Sequence, residues 1–219
     1  MARSSARSIP MFEPSARTFA RARGFSLPEL LVTRVLMGLV LLAGGAVWRT
    51  TRPSVEVTSA AKLFRLMVYQ ARMQAIFRGV THFVAIDPTQ RRIDVYIDSG
   101  STAGVLDALD PRVGGSALPS IVQLAMPADV SPLSNPLGGS ALTSSWPLPN
   151  PTGGSWAGRK GVMVTTTGLI ETVETTPTIV GNAVIVFSNG RDRASAVGIR
   201  GRMGQVRAFE YLTAGWKER

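Results

Sequence analysis

From Phe25 to Trp48 the chain runs for 24 residues with two ionisable side chains, Glu29 and Arg34. Wound as an α-helix at about 1.5 Å per residue, the run is about 36 Å long, enough to cross the hydrocarbon core of a bilayer. In such a setting backbone N–H and C=O groups must be satisfied within the segment, so a helix is the conformation open to it. An unpaired carboxylate inside the run is expensive and needs a partner, which makes Glu29 a candidate functional residue. Arg34 carries a similar burden: about 2.5–3.5 kcal/mol at a helix centre on insertion scales, less where the side chain snorkels to the near face.

After Trp48 the sequence turns polar through Arg49, Thr50, Thr51 and Arg52, and Pro53 predicts a kink or a restart of the helix. From Ser54 the apolar residues fall at Val57, Ala60, Ala61, Phe64, Met67, Val68, Ala71 and Ala75, with Lys62, Arg65 and Arg72 off the stripe. This is helical spacing. It predicts an amphipathic continuation to about Phe77, ended near Arg78-Gly79, with the stripe packed on a sheet.

Strands follow. Val80 to Ile86 and Arg92 to Ile97 read as a hairpin around Asp87-Pro88-Thr89-Gln90. Asp94 and Asp98 fall on one face; exposed strand positions beside Arg91 and Arg92 explain them more economically than a catalytic pair. His82, the single histidine, reads as a satisfied structural residue. Residues 99–160 are the least regular part, with a short strand expected over Ile121 to Met126. Within them, about 131–158 is a Pro/Gly/Ser-rich loop carrying Trp146 and Trp156, rings that tend to find something to cover. Val162 to Thr166, Ile179 to Phe187, Ala196 to Arg200 and Val206 to Leu212 read as further strands, the last closing antiparallel after the Asn189-Gly190 turn.

The net charge of +10 over 219 residues suggests a polyanion partner until it is divided along the chain. Residues 1–24 hold +4, residues 25–53 hold +2, residues 54–187 are neutral and residues 188–219 hold +4. The first share fits a cytoplasmic leader obeying the positive-inside tendency. The absence of cysteine excludes disulfides and structural thiolate metal sites. With one histidine, no phosphate-binding glycine loop, no Gly-x-Ser-x-Gly elbow and no metal-ligand cluster, the chain has no catalytic residues, metal site or cofactor to nominate, and reads as a non-enzyme.

Gly24-Phe25-Ser26-Leu27-Pro28-Glu29-Leu30-Leu31-Val32, behind its basic leader, resembles the processing site of type IV prepilins and type II secretion pseudopilins. The resemblance implies a prepilin peptidase that cuts after Gly24, methylation of the new Phe25 amine, and Glu29 at the fifth mature position, where it meets the buried ammonium of a neighbouring subunit. Arg34 departs from the pattern, which has an apolar residue there. Leu66 to Gly79, with Ala71-Arg72-Met73-Gln74-Ala75 leading into a strand, is similar to the corresponding helix of the GspH/FimT branch. The strand, Gly-Arg turn and further strand near the end of the chain resemble the close of that domain.

That resemblance implies an α+β, type IV pilin-like fold: a long N-terminal helix, its first half transmembrane, packed on antiparallel β-sheet. It divides the chain into a cleaved leader 1–24, a transmembrane or filament-core helix 25–48, an amphipathic continuation 49–78, and a periplasmic β-rich domain 79–219. The implied function is a minor pilin-like subunit in a type II secretion pseudopilus or type IV pilus. It would sit single-pass in the inner membrane before assembly, and its partners would be other minor and major pilin-like subunits, the prepilin peptidase and membrane lipid. On the FimT side a Gly-Arg-x-Arg motif is associated with DNA uptake, and Gly190-Arg191-Asp192-Arg193 matches it in letters. Arg191, Arg193, Arg200, Arg202 and Arg207 are therefore candidate DNA-binding residues, although arginines solvating β-turns explain them more economically, the net +4 being modest. An anchored or secreted β-domain with no filament role is the remaining alternative. In that reading Val35 to Val47 is a signal h-region with cleavage at Ala43-Gly44-Gly45, or the anchor stays uncut.

Overall fold

Leu, Val and Ala are prominent from Leu27 to Arg78, and this stretch forms one helix, α1 (Leu27–Arg78). The structure, a computed structural model, describes residues 25–219 apart from 101, 131, 152, 153, 155, 157, 175, 202, 203, 213 and 214. The helix runs unbroken through Pro53, where the sequence predicts a kink or restart. Proline withdraws one N–H from the carbonyl four residues back. Around it, the Thr50 and Thr51 hydroxyls each donate to the Val47 carbonyl at 2.9 Å, and Arg52 pairs with Glu56 across the proline.

The chain divides into two compact units at Gly45/Ala46. In the first, the described residues are helix from Leu27 onward, and their side chains are exposed apart from the half-buried Gly38. In the second, the buried residues of α1 are Val57, Ala60, Ala61, Phe64, Met67, Val68, Ala71 and Ala75. These are the eight positions that the helical spacing picks out. Four of them are alanines, so backbone can approach closely along the stripe, and Phe64 fills the space between them.

Two antiparallel sheets receive that stripe. The first is five-stranded, in the order β3 (Arg112–Ala117), β2 (Arg92–Ile97), β1 (His82–Asp87), β4 (Lys160–Val164), β5 (Ile170–Thr172). The second runs β6 (Ala183–Ser188), β7 (Ala194–Arg200), β8 (Gln205–Leu212), β9 (Gly215–Glu218). Strand alternation sends Val84, Ile86, Ile93, Val95, Val162 and Val164 of the first sheet into the same core as the helix stripe, and Ile185, Phe187, Val197, Ile199 and Val206 of the second join them. Phe64 and Phe187 mark the junction, their ring centroids 6.0 Å apart.

Polar ties fix the helix on the second sheet. Thr58 and Ser195 share a hydroxyl hydrogen bond at 3.1 Å, Tyr69 donates to the Val206 carbonyl at 2.9 Å, and Ser54 donates to Glu210 at 3.1 Å. Burial pushes the Glu210 carboxyl up, but hydrogen bonds from Arg219 and Ser54 outweigh that and leave its pKa lowered.

The alternate residues of both sheets are also buried, because the irregular stretch covers them. Leu106 and Trp156 pack on Phe83, Ala85 and Met163 of the first sheet, with Trp156 edge-on to Phe83 at 5.9 Å. Gly161 is required there: a Cβ on it would stand 2.4 Å from the Trp156 ring. Leu133 and Leu142 cover Val184, Val186, Ala194 and Ala196 of the second sheet. Trp146 enters the central core itself. The strand expected over Ile121 to Met126 is a single bridge, Gln123 to Ser188. The strand of that region lies instead at Arg112–Ala117, whose Arg-Val-Gly-Gly-Ser-Ala lacks a β signature and depends on pairing with β2. The short edge strands β5 and β9 were likewise without a sequence signal.

Asp94 corrects the reading of an exposed strand carboxylate. It is 7% exposed, with Arg92 at 3.3 Å and Arg112 at 3.4 Å. Asp98 is half-buried and accepts the Gly104 N–H at 2.7 Å. Arg91 turns away from both. Its backbone is left-handed, with φ 51°, and its guanidinium donates to the carbonyls of Pro119, Ser120 and Val122.

His82 is fully buried. Its Nδ1 donates to the Val80 carbonyl at 2.8 Å, and its Nε2 has no partner among the described residues. Burial is the main cause that lowers its pKa, the Val80 bond opposing and Arg78 adding to it. A second proton would place an unsatisfied N–H in the interior. The folded pKa thus lies below the unfolded value of about 6.5, so the unfolded state binds the proton first. The contribution is fully present above about pH 6.5 and is lost as pH falls through the folded pKa. Denaturant melts of the chain in detergent between pH 8 and 5 should show stability falling on acidification below about 6.5, with a slope of at most about 1.4 kcal/mol per pH unit. His82→Gln should flatten that slope.

Candidate functional site

The candidate assembly site begins at Phe25 and Ser26, which precede α1, and Phe25 is exposed. Pro28 falls at the second helical position, within the first turn, where a missing N–H costs nothing and the fixed φ suits the helix. The Ser26 carbonyl accepts the first helical bond, from Leu30 N–H at 3.1 Å. Glu29 lies in that first turn, where the partial positive charge of the helix terminus favours an anion. One turn on, the Thr33 hydroxyl donates to the carbonyls of Glu29 at 2.9 Å and Leu30 at 3.0 Å, so its polarity is satisfied on the helix itself.

Glu29 and Arg34 are both exposed in the single chain, and neither side chain has a hydrogen-bond or ion-pair partner among the described residues. Around them the most apolar window of the helix has a mean hydropathy of 2.2, and none of it is buried within the chain. A helix of this length and composition is compatible with a single-pass membrane anchor. Its first turn carries an acid beside a surface of exposed apolar side chains, among them Leu30, Leu31 and Val32. Gly24 and residues 1–23 lie outside the described residues.

The candidate DNA-binding arginines separate into two groups. Arg191 and Arg193 lie in the turn between β6 and β7. There Asn189 Oδ1 accepts the N–H groups of Arg191, Asp192 and Arg193 at 3.0–3.2 Å. Arg191 is exposed, whereas Arg193 pairs with Asp192 at 3.3 Å. Arg200 is exposed at the other end of β7, about 20 Å away along a strand of this length. Arg207 lies on β8 opposite Gly198 and pairs with Glu218 at 3.0 Å. Arg202 lies outside the described residues. Two of the four described arginines are thus held by carboxylates, and the strand divides the rest.

No family model matches the chain, and no curated protein matches it. Two solved structures of the minor pseudopilin EpsH from the type 2 secretion system of Vibrio cholerae are similar to it. One shares 13% identity over 71% of this chain and 97% of that chain, with a TM-score of 0.43. The other shares 13% identity over 75% of this chain and 94% of that chain, with a TM-score of 0.34. At that distance the functional reading rests on the residues themselves.

With its positive charge split between the ends of β7, the domain is expected to retard duplex DNA weakly and at low salt alone. Changing Arg191 and Arg193 together to Ala should alter the shift little. Salt-resistant retardation that the double variant abolishes would instead establish the turn as a phosphate reader.

Proposed function

We propose that the chain is a minor pilin-like subunit, a pseudopilin of the GspH/FimT type, that assembles into a type II secretion pseudopilus or a type IV pilus. The observation that carries this reading is Glu29: an acid at the fifth position counted from Phe25, in the first turn of a helix whose most apolar window finds no cover among the described residues. A lone charge in such a position is tolerated when another molecule brings the opposite charge.

The resemblance of Gly24 to Val32 to a prepilin processing site supports the following sequence of events. The basic leader stays on the cytoplasmic side while the apolar half of α1 enters the inner membrane. A prepilin peptidase cuts after Gly24, and the exposed Phe25 amine is methylated, which leaves its charge in place. That ammonium sits at the membrane end of the helix. When subunits pack, it meets the Glu29 carboxylate of a neighbour, and each charge relieves the desolvation of the other. The pair therefore serves recruitment and axial register together. The β-rich domain, carried on the periplasmic side by the packed half of α1, supplies contacts with other pilin-like subunits. In this reading the protein makes and breaks no bond itself; it is the substrate of the peptidase.

N-terminal sequencing of the protein from its native envelope should give N-methylated Phe25. A start near Ala46, or an intact Met1, would favour an anchored or secreted domain with no filament role. Glu29→Val should lower incorporation into the filament by at least about tenfold, because it leaves a neighbour's buried ammonium unpaired. Undiminished incorporation would remove the carboxylate from the mechanism.

A further inference from the structure

Arg34 has no role in the scheme above, yet it is the second of two ionisable side chains between Phe25 and Trp48. It stands five residues beyond Glu29, which on a helix means about 7.5 Å along the axis and about 140° around it. An intrahelical ion pair needs a spacing of three or four, so the two charges of one copy do not face each other. Neither side chain has a charged partner among the described residues, and the two are of opposite sign.

The face that carries Arg34 has a second property. Gly38 and Gly45 follow it at four and eleven positions, hence on the same side of the helix. A Cβ built on either glycine would meet nothing within 4 Å in the single chain. Nothing in the fold of one copy requires these glycines, and small residues on an apolar helix are what allow another helix to come close.

We propose that Arg34 of one copy is a counter-ion of Glu29 in the next copy, the two helices lying parallel and offset by about five residues. The inference rests on the assembly reading given above. The offset fits that reading: raising one copy by four to five residues brings its Phe25 amine level with Glu29 of the copy below, and its Glu29 level with Arg34. With the two residues about 140° apart, one stagger serves the two contacts through two different neighbours. Because Glu29 and Arg34 lie on different faces, each helix presents an acid on one side and a base on another. Such an interface is heterologous, and with an axial offset it does not close on itself; it continues as a filament. Glu29 with Arg34 is then a self-complementary code for open assembly, written in a stretch otherwise without charge.

Leu36 lies seven residues from Glu29 and Leu41 seven from Arg34, each on the same face as its charge and both exposed. The chain has no cysteine, so Leu36→Cys with Leu41→Cys in the full-length protein reports the offset cleanly. Under mild oxidation in the native envelope the double variant should give a ladder of disulfide-linked oligomers. Each single variant should give at most a dimer. Adding Arg34→Leu should reduce the ladder by at least about tenfold, since it leaves Glu29 short of a partner, and Arg34→Lys should restore most of it. If Arg34 merely snorkels to the headgroups, Arg34→Leu leaves the ladder unchanged or raises it, and the proposal is overturned. A dominant dimer from Leu36→Cys alone, signalling in-register packing, overturns it as well. N-terminal sequencing and sedimentation of the same samples separate the two levels. Chains that begin at Phe25 and sediment as filaments regardless of residue 34 defeat this inference alone. Uncut chains that stay monomeric defeat it together with the assembly reading.

Discussion

One stripe of side chains on α1 holds the second unit of this protein together. Val57, Phe64, Val68 and the alanines between them meet the inner faces of two separate sheets, and those sheets share no ladder hydrogen bonds with each other. Remove the stripe and each sheet loses the common surface on which it is buried. The alanines matter as much as the larger residues, because they let strands and helix come close enough for Phe64 and Phe187 to interlock. The hydroxyls of Ser54, Thr58 and Tyr69 then fix the rotation of the helix over the second sheet. Hydrophobic burial supplies the driving force, and these directional contacts decide the register.

Regular apolar spacing made much of this legible in advance. All eight buried helix positions follow from a 3.6-residue period, and β1, β2, β4, β6, β7 and β8 stand where β-rich runs stand in the sequence. The parts that could not be read share a physical cause. β3 contains Gly114 and Gly115 in place of branched residues, and Gly115 is needed because a Cβ there would stand 2.0 Å from Asp94. That demand comes from a residue some twenty positions away, and it leaves no local signature. Likewise the alternate faces of both sheets are closed by Leu106, Leu133, Leu142 and Trp156. These are single apolar residues spaced through Pro, Gly and Ser, where no period exists to detect. The restart expected at Pro53 does not occur, for the opposite reason. The local penalty of the proline is real, about 3 kcal/mol, but the helix beyond it is held by tertiary packing.

The candidate site was legible in a different way. Glu29 stands out because of what surrounds it: a carboxylate is cheap in water and costly in an apolar run, so its presence there asks for a partner. The C-terminal arginines gave the reverse lesson. Their count suggested a patch, but side-chain spacing in a sheet depends on which ends of the strands the residues occupy. Arg191 and Arg200 are separated by the length of β7, while Arg193 and Arg207 already have carboxylates. Composition over a window measures charge without position, and position is what a polyanion reads.

The two halves of α1 differ in the pattern of their side chains. From Val57 to Ala75 one face is buried against the sheets, and the exposed side mixes Lys62 with Leu66 and Met73. From Leu30 to Val47 apolar residues occupy every face, and none is covered by the chain. A segment of that kind cannot gain direction from hydrophobicity, because each orientation about its axis is as apolar as the next. Any specific geometry between such helices has to come from their few polar groups and from the places where small residues let backbones approach. Glu29, Arg34, Gly38 and Gly45 are those few departures in this segment, and the relative rotation and height of neighbouring helices would be decided by them.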